Sequence, residues 1–281
     1  MPHVDGVEHR HVQAGEVRMH VAEAGEGEPV VLLHGWPQHW YVWRGVIPRL
    51  AERYRVICPD LRGLGWSDAP SGGYDKQTLG DDVLRLLDEL GLERVRLIGH
   101  DWGGMAAFFM CLRAPQRIER CLVMNTGHPW PRVSTGQAAG LWRLWYQVVL
   151  SAPLLGRRAV RALAEGAYRT GVRGVPREEF QPFIDQFREP ERTRATQGLY
   201  RSFLLRELPA MARGRYAGER LRVPTLFLVS EKDPVVRLEM VEAATAHADD
   251  MQVELVPGHG HFIADEAPGI VAQHAFDHFS L

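Results

Sequence analysis

Lysine is nearly missing from this chain: it occurs only at Lys76 and Lys232, so almost all the positive charge is arginine. Lys and Arg together number 33 against 35 Asp and Glu, a formal net charge of −2. That near-balance removes the electrostatic pull that nucleic acid or an anionic membrane surface exerts, and neither is expected as a partner. Cysteine is scarce too. Cys58, Cys111 and Cys121 are odd in number, sit in apolar runs and show no C-x-x-C spacing. They argue against a disulfide framework or a zinc site and for buried thiols that pack like small hydrophobes. Long hydrophobic runs are absent: none approaches the ~18 apolar residues of a membrane span, and Met1–His11 contains no apolar leader core. These absences point to a cytoplasmic protein. Its 281 residues, 45% hydrophobic and 24% charged, suffice for one large domain or for a core with an inserted lid.

What is present reads as strands alternating with helices. Polar and apolar residues alternate through His11–Gln13 and Val17–Val21, split by Gly15, the pattern of a β-hairpin. Short apolar runs follow at Val30–Leu33, Tyr54–Cys58, Val95–Ile98, Cys121–Met124, Thr225–Val229 and Gln252–Val256. Runs of this kind are strands covered on both faces, as in a mostly parallel sheet. Helical periodicity marks Thr78 to Leu90, closed by Gly91, and a second stretch from near Gly103 to about Arg113, stopped by Pro115. An α/β fold follows, with a mostly parallel eight-stranded sheet flanked by helices. The alternation fails between His128 and about Arg220, where five Trp or Tyr fall between Trp130 and Tyr168 and helical spacing runs without strands. Residues 1–127 and 221–281 are expected to form the core, and 128–220 a helical cap inserted between strands.

The segment Val95-Arg96-Leu97-Ile98-Gly99-His100-Asp101-Trp102-Gly103-Gly104 runs from strand through G-x-D-x-G into helix. Glycines on both sides permit a tight strand-to-helix turn that lifts one side chain above the sheet, a nucleophile elbow. Ser is the usual occupant; here it is Asp101, beside a helix N-terminus that favours its charge. The bland alternative is an Asp that merely caps the helix. A carboxylate attacking an acyl carbon would give an anhydride, a poor route to hydrolysis. Attack on saturated carbon gives an alkyl ester, which water can then hydrolyse. Epoxides and alkyl halides fit that chemistry.

Partners arrive in the order nucleophile, acid, histidine. Asp233 follows the strand Thr225–Val229, and His261 follows Gln252–Val256 in Pro257-Gly258-His259-Gly260-His261-Phe262. His259 is the alternative base and Glu231 a competing acid; Asn125 could orient the histidine but supplies no charge. His261 would act as general base on water, with Asp233 holding its tautomer and stabilising its charged form. The oxyanion hole would use the backbone N–H groups of Trp102, just after the nucleophile, and of Trp36, in the turn after the third strand.

Four motifs carry a family resemblance over nearly the whole chain. His34-Gly35-Trp36-Pro37-Gln38-His39-Trp40-Tyr41-Val42-Trp43-Arg44 resembles H-G-F/W-P-E-x-W-Y-x-W-R, departing at Gln38, where Glu is usual. Asp60-Leu61-Arg62-Gly63-Leu64-Gly65-Trp66-Ser67-Asp68 is similar to D-x-R-G-x-G-x-S-D and is read as structural. His100-Asp101-Trp102-Gly103 and Gly260-His261-Phe262 complete a set that resembles the epoxide hydrolases of the α/β-hydrolase superfamily, in its aspartate-nucleophile branch. The resemblance implies two lid tyrosines that hydrogen-bond the epoxide oxygen and stabilise the alkoxide. Among Tyr146, Tyr168, Tyr200 and Tyr216, it points to Tyr146, with Pro153 seven residues on, and to Tyr200 in Gly198-Leu199-Tyr200-Arg201.

Haloalkane dehalogenases share the branch. Many carry Asn where Trp36 stands, and fluoroacetate dehalogenases typically have Arg where Trp102 stands, which favours an epoxide. The expected reaction converts an apolar, aryl or alkyl, epoxide to a vicinal diol with no metal or organic cofactor, in a monomer or homodimer whose one small-molecule partner is the substrate. The aromatic stretch Trp130–Trp145 suggests an apolar pocket. A catalytically silent ligand receptor is the reading from another class.

Overall fold

The computed structural model describes residues 1–131, 145–152, 155–172 and 174–280. Most of the aromatic stretch Trp130–Trp145, and Pro153 with it, lies outside them. The hairpin is longer than its alternation suggests: β1 (Glu8–Ala14) pairs antiparallel with β2 (Val17–Ala24). Gly15 turns between them at φ 63°, a conformation glycine adopts without the Cβ penalty. β3 (Glu28–Leu33), β4 (Tyr54–Pro59), β5 (Val95–His100), β6 (Ile118–Met124), β7 (Thr225–Ser230) and β8 (Met251–Val256) complete an eight-stranded sheet. Its order is β1-β2-β4-β3-β5-β6-β7-β8. β2 runs antiparallel to β4, and every pairing from β4 to β8 is parallel.

Burial explains the continuous apolar runs. Val30 to Leu33 and Leu97–Ile98 are fully covered, as strands with helices on both faces must be. α1 (Lys76–Glu89) begins where Asp75 accepts the Thr78 N–H at 2.9 Å, and buries Leu79, Val83, Leu86 and Leu87. α2 (Trp102–Arg113) starts one residue earlier than its periodicity suggests, directly on the elbow. Between β6 and β7 the described residues form helices: α3 (Trp145–Ser151), α4 (Leu155–Gly171), α5 (Arg177–Asp185) and α6 (Pro190–Ser202), the last running into a π-helical turn at Phe203–Glu207. α7 (Pro268–Phe279) closes the described chain.

The Asp60–Asp68 loop is a brace. Asp60 is fully buried and accepts the Trp40 and Trp66 N–H groups at 2.7 and 2.9 Å, with His20 Nδ1 at 2.7 Å. Burial works against its charge, but His20, His39 and His34 outweigh that and hold its pKa at about 2. Arg62, equally buried, grips Asp82 of α1 through two bonds of 2.6 and 2.8 Å. All three cysteines are buried and free. No helix among the described residues is long and apolar enough to cross a membrane. Because β3 and β5–β8 are parallel, their carboxyl ends lie along one edge, and the loops leaving them meet there.

Candidate active site

Asp101 stands between β5 and α2 with φ 48° and ψ −121°, a left-handed conformation that costs a non-glycine residue roughly 1–3 kcal/mol. It occupies the N-cap position, yet its side chain makes no capping bond. The carboxylate turns instead toward the loop after β3. Gly35 makes room for it: a Cβ there would lie 2.4 Å from Asp101 Oδ2. The Trp36 N–H donates to that oxygen at 2.8 Å, and the Trp102 N–H faces the same carboxylate. Burial raises the pKa of Asp101, opposed by the charge of His261 and by these two N–H groups.

His261 comes off the loop after β8 and lies between two carboxylates. Its Nδ1 is 2.8 Å from Asp233 Oδ2 and its Nε2 is 4.0 Å from Asp101 Oδ1. The Val235 and Val236 N–H groups hold the other Asp233 oxygen at 2.7 and 3.0 Å, which aims the carboxylate at the ring. Burial pushes the imidazole down, but Asp233 and then Asp101 outweigh it and hold the pKa at about 9. The folded value lies above the ordinary 6.5. The stability this charge supplies is therefore complete below pH 6.5 and is lost as pH rises through about 9. His259 is directed to Glu266 at 3.6 Å, and Glu231 accepts the Gly258 N–H at 2.8 Å, so neither joins the group. Asn125 donates to the His261 carbonyl at 2.8 Å and exchanges bonds with Ser230, tying β6 and β7 to the histidine loop.

α3 and α6 bring Tyr146 and Tyr200 together, with ring centroids 6.0 Å apart. Tyr200 stands edge-on to Trp36 at 5.4 Å and to Trp102 at 5.5 Å, the residues whose N–H groups meet Asp101. Burial raises both phenol pKa values, and the Asp101 charge adds to the effect on each. The Trp36 indole N–H is engaged by Thr196 Oγ1 at 3.1 Å. That of Trp102 is buried and lies toward the Tyr200 hydroxyl, outside hydrogen-bonding geometry. Tyr168 and Tyr216 are occupied elsewhere, Tyr168 stacked on Phe262 at 4.2 Å and Tyr216 packed against Phe109 at 5.3 Å. Among the described residues no group of His, Cys, Asp and Glu could hold a metal ion. A carboxylate, an imidazole backed by a second carboxylate, two converging N–H groups and two phenols can together support nucleophilic attack, proton transfer and oxyanion stabilisation.

A family model described as alpha/beta hydrolase fold matches residues 28–268. Epoxide hydrolase A of Mycobacterium tuberculosis (strain ATCC 25618 / H37Rv) is 32% identical over 305 aligned residues, covering 93% of this chain and 94% of that protein. The chain belongs to the α/β-hydrolase superfamily, in its epoxide hydrolase family. Against the soluble epoxide hydrolase of Corynebacterium sp. (strain C12) identity reaches 49% over 119 residues, 42% of each protein; the chain spans under half the length of that relative. The solved structure of epoxide hydrolase CorEH without ligand superposes with a TM-score of 0.85 at 29% identity, covering 98% of this chain and 99% of that one.

Where the chain departs from the family pattern, at Gln38, the structure contains a buried network that sequence reading missed. Gln38 Nε2 donates to the Tyr168 hydroxyl at 2.6 Å and to Asp265 Oδ2 at 3.1 Å. Tyr168 in turn donates to Asp265 at 2.9 Å, and Arg44 pairs with Asp265 and Glu179. Gln38 Oε1 lies 3.1 Å from His100 Nδ1, and His100 Nε2 lies 2.8 Å from the His261 carbonyl. Burial drives the His100 pKa down to about 3, so its ring is neutral and carries a single N–H, which can donate to only one of these two oxygens. The available signals were Gln38 itself and the acid four residues after His261.

Two outcomes follow from these charges. In Asp101→Asn, one of the carboxylates that raise the His261 pKa is gone, so an NMR titration of the ring should give a midpoint clearly below that of the parent. An unmoved midpoint would mean that Asp101 does not act on the ring. In Gln38→Glu, a second carboxylate would face Asp265, and denaturant unfolding at pH 7 should show a loss of roughly 2–4 kcal/mol. Combining it with Asp265→Asn should restore most of that loss; equal stability of parent and single variant would contradict the arrangement.

Proposed function

We propose that this protein is an epoxide hydrolase that converts an apolar epoxide and water to a vicinal diol through an ester on Asp101. The observation that carries the reading is the Asp101 carboxylate, turned off a strained elbow, with His261 at 4.0 Å and the facing phenols of buried Tyr200 and half-buried Tyr146, both of which feel its charge. Residues 128–220 would serve as the cap that brings the tyrosines to a core formed by 1–127 and 221–281.

In the first step an Asp101 oxygen attacks a ring carbon, the carbon–oxygen bond opens, and Tyr146 or Tyr200 gives its proton to the departing alkoxide. At rest His261 is protonated, with its pKa near 9. Esterification removes the Asp101 charge and with it part of what keeps the ring protonated. The histidine then returns its proton, through solvent, to the tyrosinate and becomes a base at the moment one is required. In the second step His261 takes a proton from water as its oxygen bonds to the Asp101 carboxyl carbon. The Trp36 and Trp102 N–H groups bind the oxyanion. Collapse breaks the bond to the alkyl oxygen, which takes up one of the two protons held by His261 and the new carboxyl and leaves as the diol; the other proton stays on the imidazole, so Asp101 is again a carboxylate and His261 again protonated.

One observation favours a halide instead: the Trp102 indole N–H is without a hydrogen bond among the described residues. A halide cradle needs a second such donor, and the Trp36 indole is held by Thr196. A phenol pair, by contrast, suits an alkoxide, which needs a proton to leave.

His261→Gln incubated with styrene oxide should gain the mass of one epoxide, mapped to the peptide that contains Asp101. An unmodified peptide counts against the ester. Diol from styrene oxide and bromide from a bromoalkane should be measured in parallel; bromide without diol would make the protein a dehalogenase, and binding without either product a silent receptor. Tyr146→Phe and Tyr200→Phe should each lower kcat for the epoxide by about 100-fold or more, the scale of a lost general acid. Undiminished rates in both would remove the phenols from the scheme.

A further inference from the structure

α6 has two working faces. Thr196 and Tyr200 point to Trp36 and the candidate site, while Arg194, Gln197 and Arg201, at helical spacing, line an open cleft on the opposite side. The cleft has a volume of about 570 Å³, within the range of small-molecule sites. Arg157 of α4 and Arg206 of the π-helical turn complete a set of four guanidiniums from three elements.

No carboxylate balances them. The lining contains no Asp or Glu, and none of the four arginines forms an ion pair among the described residues. The residues outside the description include no Asp or Glu. The partners they do have are neutral and belong to the floor of the cleft. Gln197 Oε1 accepts from Arg157 Nε at 3.4 Å, and Ser202 Oγ accepts from Arg206 at 3.4 Å; both side chains are buried. Neutral acceptors engage two of the four guanidiniums without cancelling their charge, so the cleft keeps a concentrated positive potential. Elsewhere on this surface arginines such as Arg113 and Arg220 lie against carboxylates. Tyr74 and Leu205 add apolar wall.

We propose that this cleft is a second, non-catalytic binding site for a small organic oxyanion, a carboxylate or phosphate head on an apolar body. Guanidiniums present paired N–H donors that match either head, and Leu205, 65% exposed, gives the body a surface to cover. The site stands apart from the proposed reaction, since no step above involves its residues.

The test is calorimetric titration of the full chain at low ionic strength with hexanoate, hexyl phosphate, inorganic phosphate and, as a neutral control, hexanol. Saturable binding is expected for the two amphipathic anions, weaker binding for inorganic phosphate and none for hexanol. The stronger of the two anions identifies the preferred head. Arg194→Gln with Arg201→Gln should weaken binding by about tenfold or more, the scale of lost charge-assisted hydrogen bonds. The pair Arg169→Gln and Arg237→Gln, exposed elsewhere, and Asp101→Asn should leave it unchanged. Absence of saturable binding, equal affinity in the Arg194/Arg201 variant, or a loss in the Asp101 variant would each overturn the proposal.

Discussion

An imidazole held between two carboxylates sets the terms for the rest of this structure. His261 shares a short bond with buried Asp233 on one side and faces half-buried Asp101 on the other. Burial alone would leave the ring neutral; two negative neighbours reverse that. The arrangement makes the proton on His261 conditional on the charge of Asp101. In the proposed reaction such a group would be a poor base while Asp101 is charged and a better one once Asp101 is esterified. This ordering needs no moving part, only fixed positions.

Fixing those positions is what the surrounding residues do. The strained backbone at Asp101 is tolerated because the turn is over-determined: Gly35 leaves space for the carboxylate, the Trp36 N–H holds it, and Thr126 Oγ1 donates to the Asp101 carbonyl at 2.6 Å. Gly103 lets α2 lie against β3, since a Cβ there would sit 2.3 Å from the Leu33 carbonyl oxygen. On the histidine side the backbone is gripped from three directions. Asn125 and His100 reach the His261 carbonyl, and the His261 N–H donates to the Gly171 carbonyl at 2.9 Å, at the end of α4. The last contact joins a helix from between β6 and β7 directly to the histidine loop.

The parts legible in the sequence are those whose physics is local. A strand, a glycine-flanked turn and a helix are neighbours along the chain, so the elbow at Asp101 could be read from spacing. The continuous apolar runs likewise announced a sheet covered on both faces. Gln38, His100, Tyr168 and Asp265 were not legible as a group because they are distant in sequence and meet only through tertiary packing; Gln38 and Asp265 are 227 positions apart. The helices were seen as periodicity, but not which face of α6 turns inward, since Arg194 and Tyr200 follow one another within two turns of the same helix. The start of β1 was read short, because exposed Glu8, His9 and Arg10 carry no apolar signal and pairing alone extends the ladder.

The neutral residue at position 38 makes sense in terms of total charge. Three acids, Asp233, Asp101 and Glu266, already act on His261. A fourth carboxylate in the same buried region would hold the ring protonated more firmly, so that neutralising Asp101 alone would release it less completely. Gln38 keeps the geometric link to His100 while adding no charge, and the acid that does lie nearby, Asp265, is matched by Arg44. The departure from the family pattern is therefore electrostatically coherent: the chain has one fewer buried acid beside its histidine loop, and Asp265, the acid that Gln38 touches, has its own counter-ion.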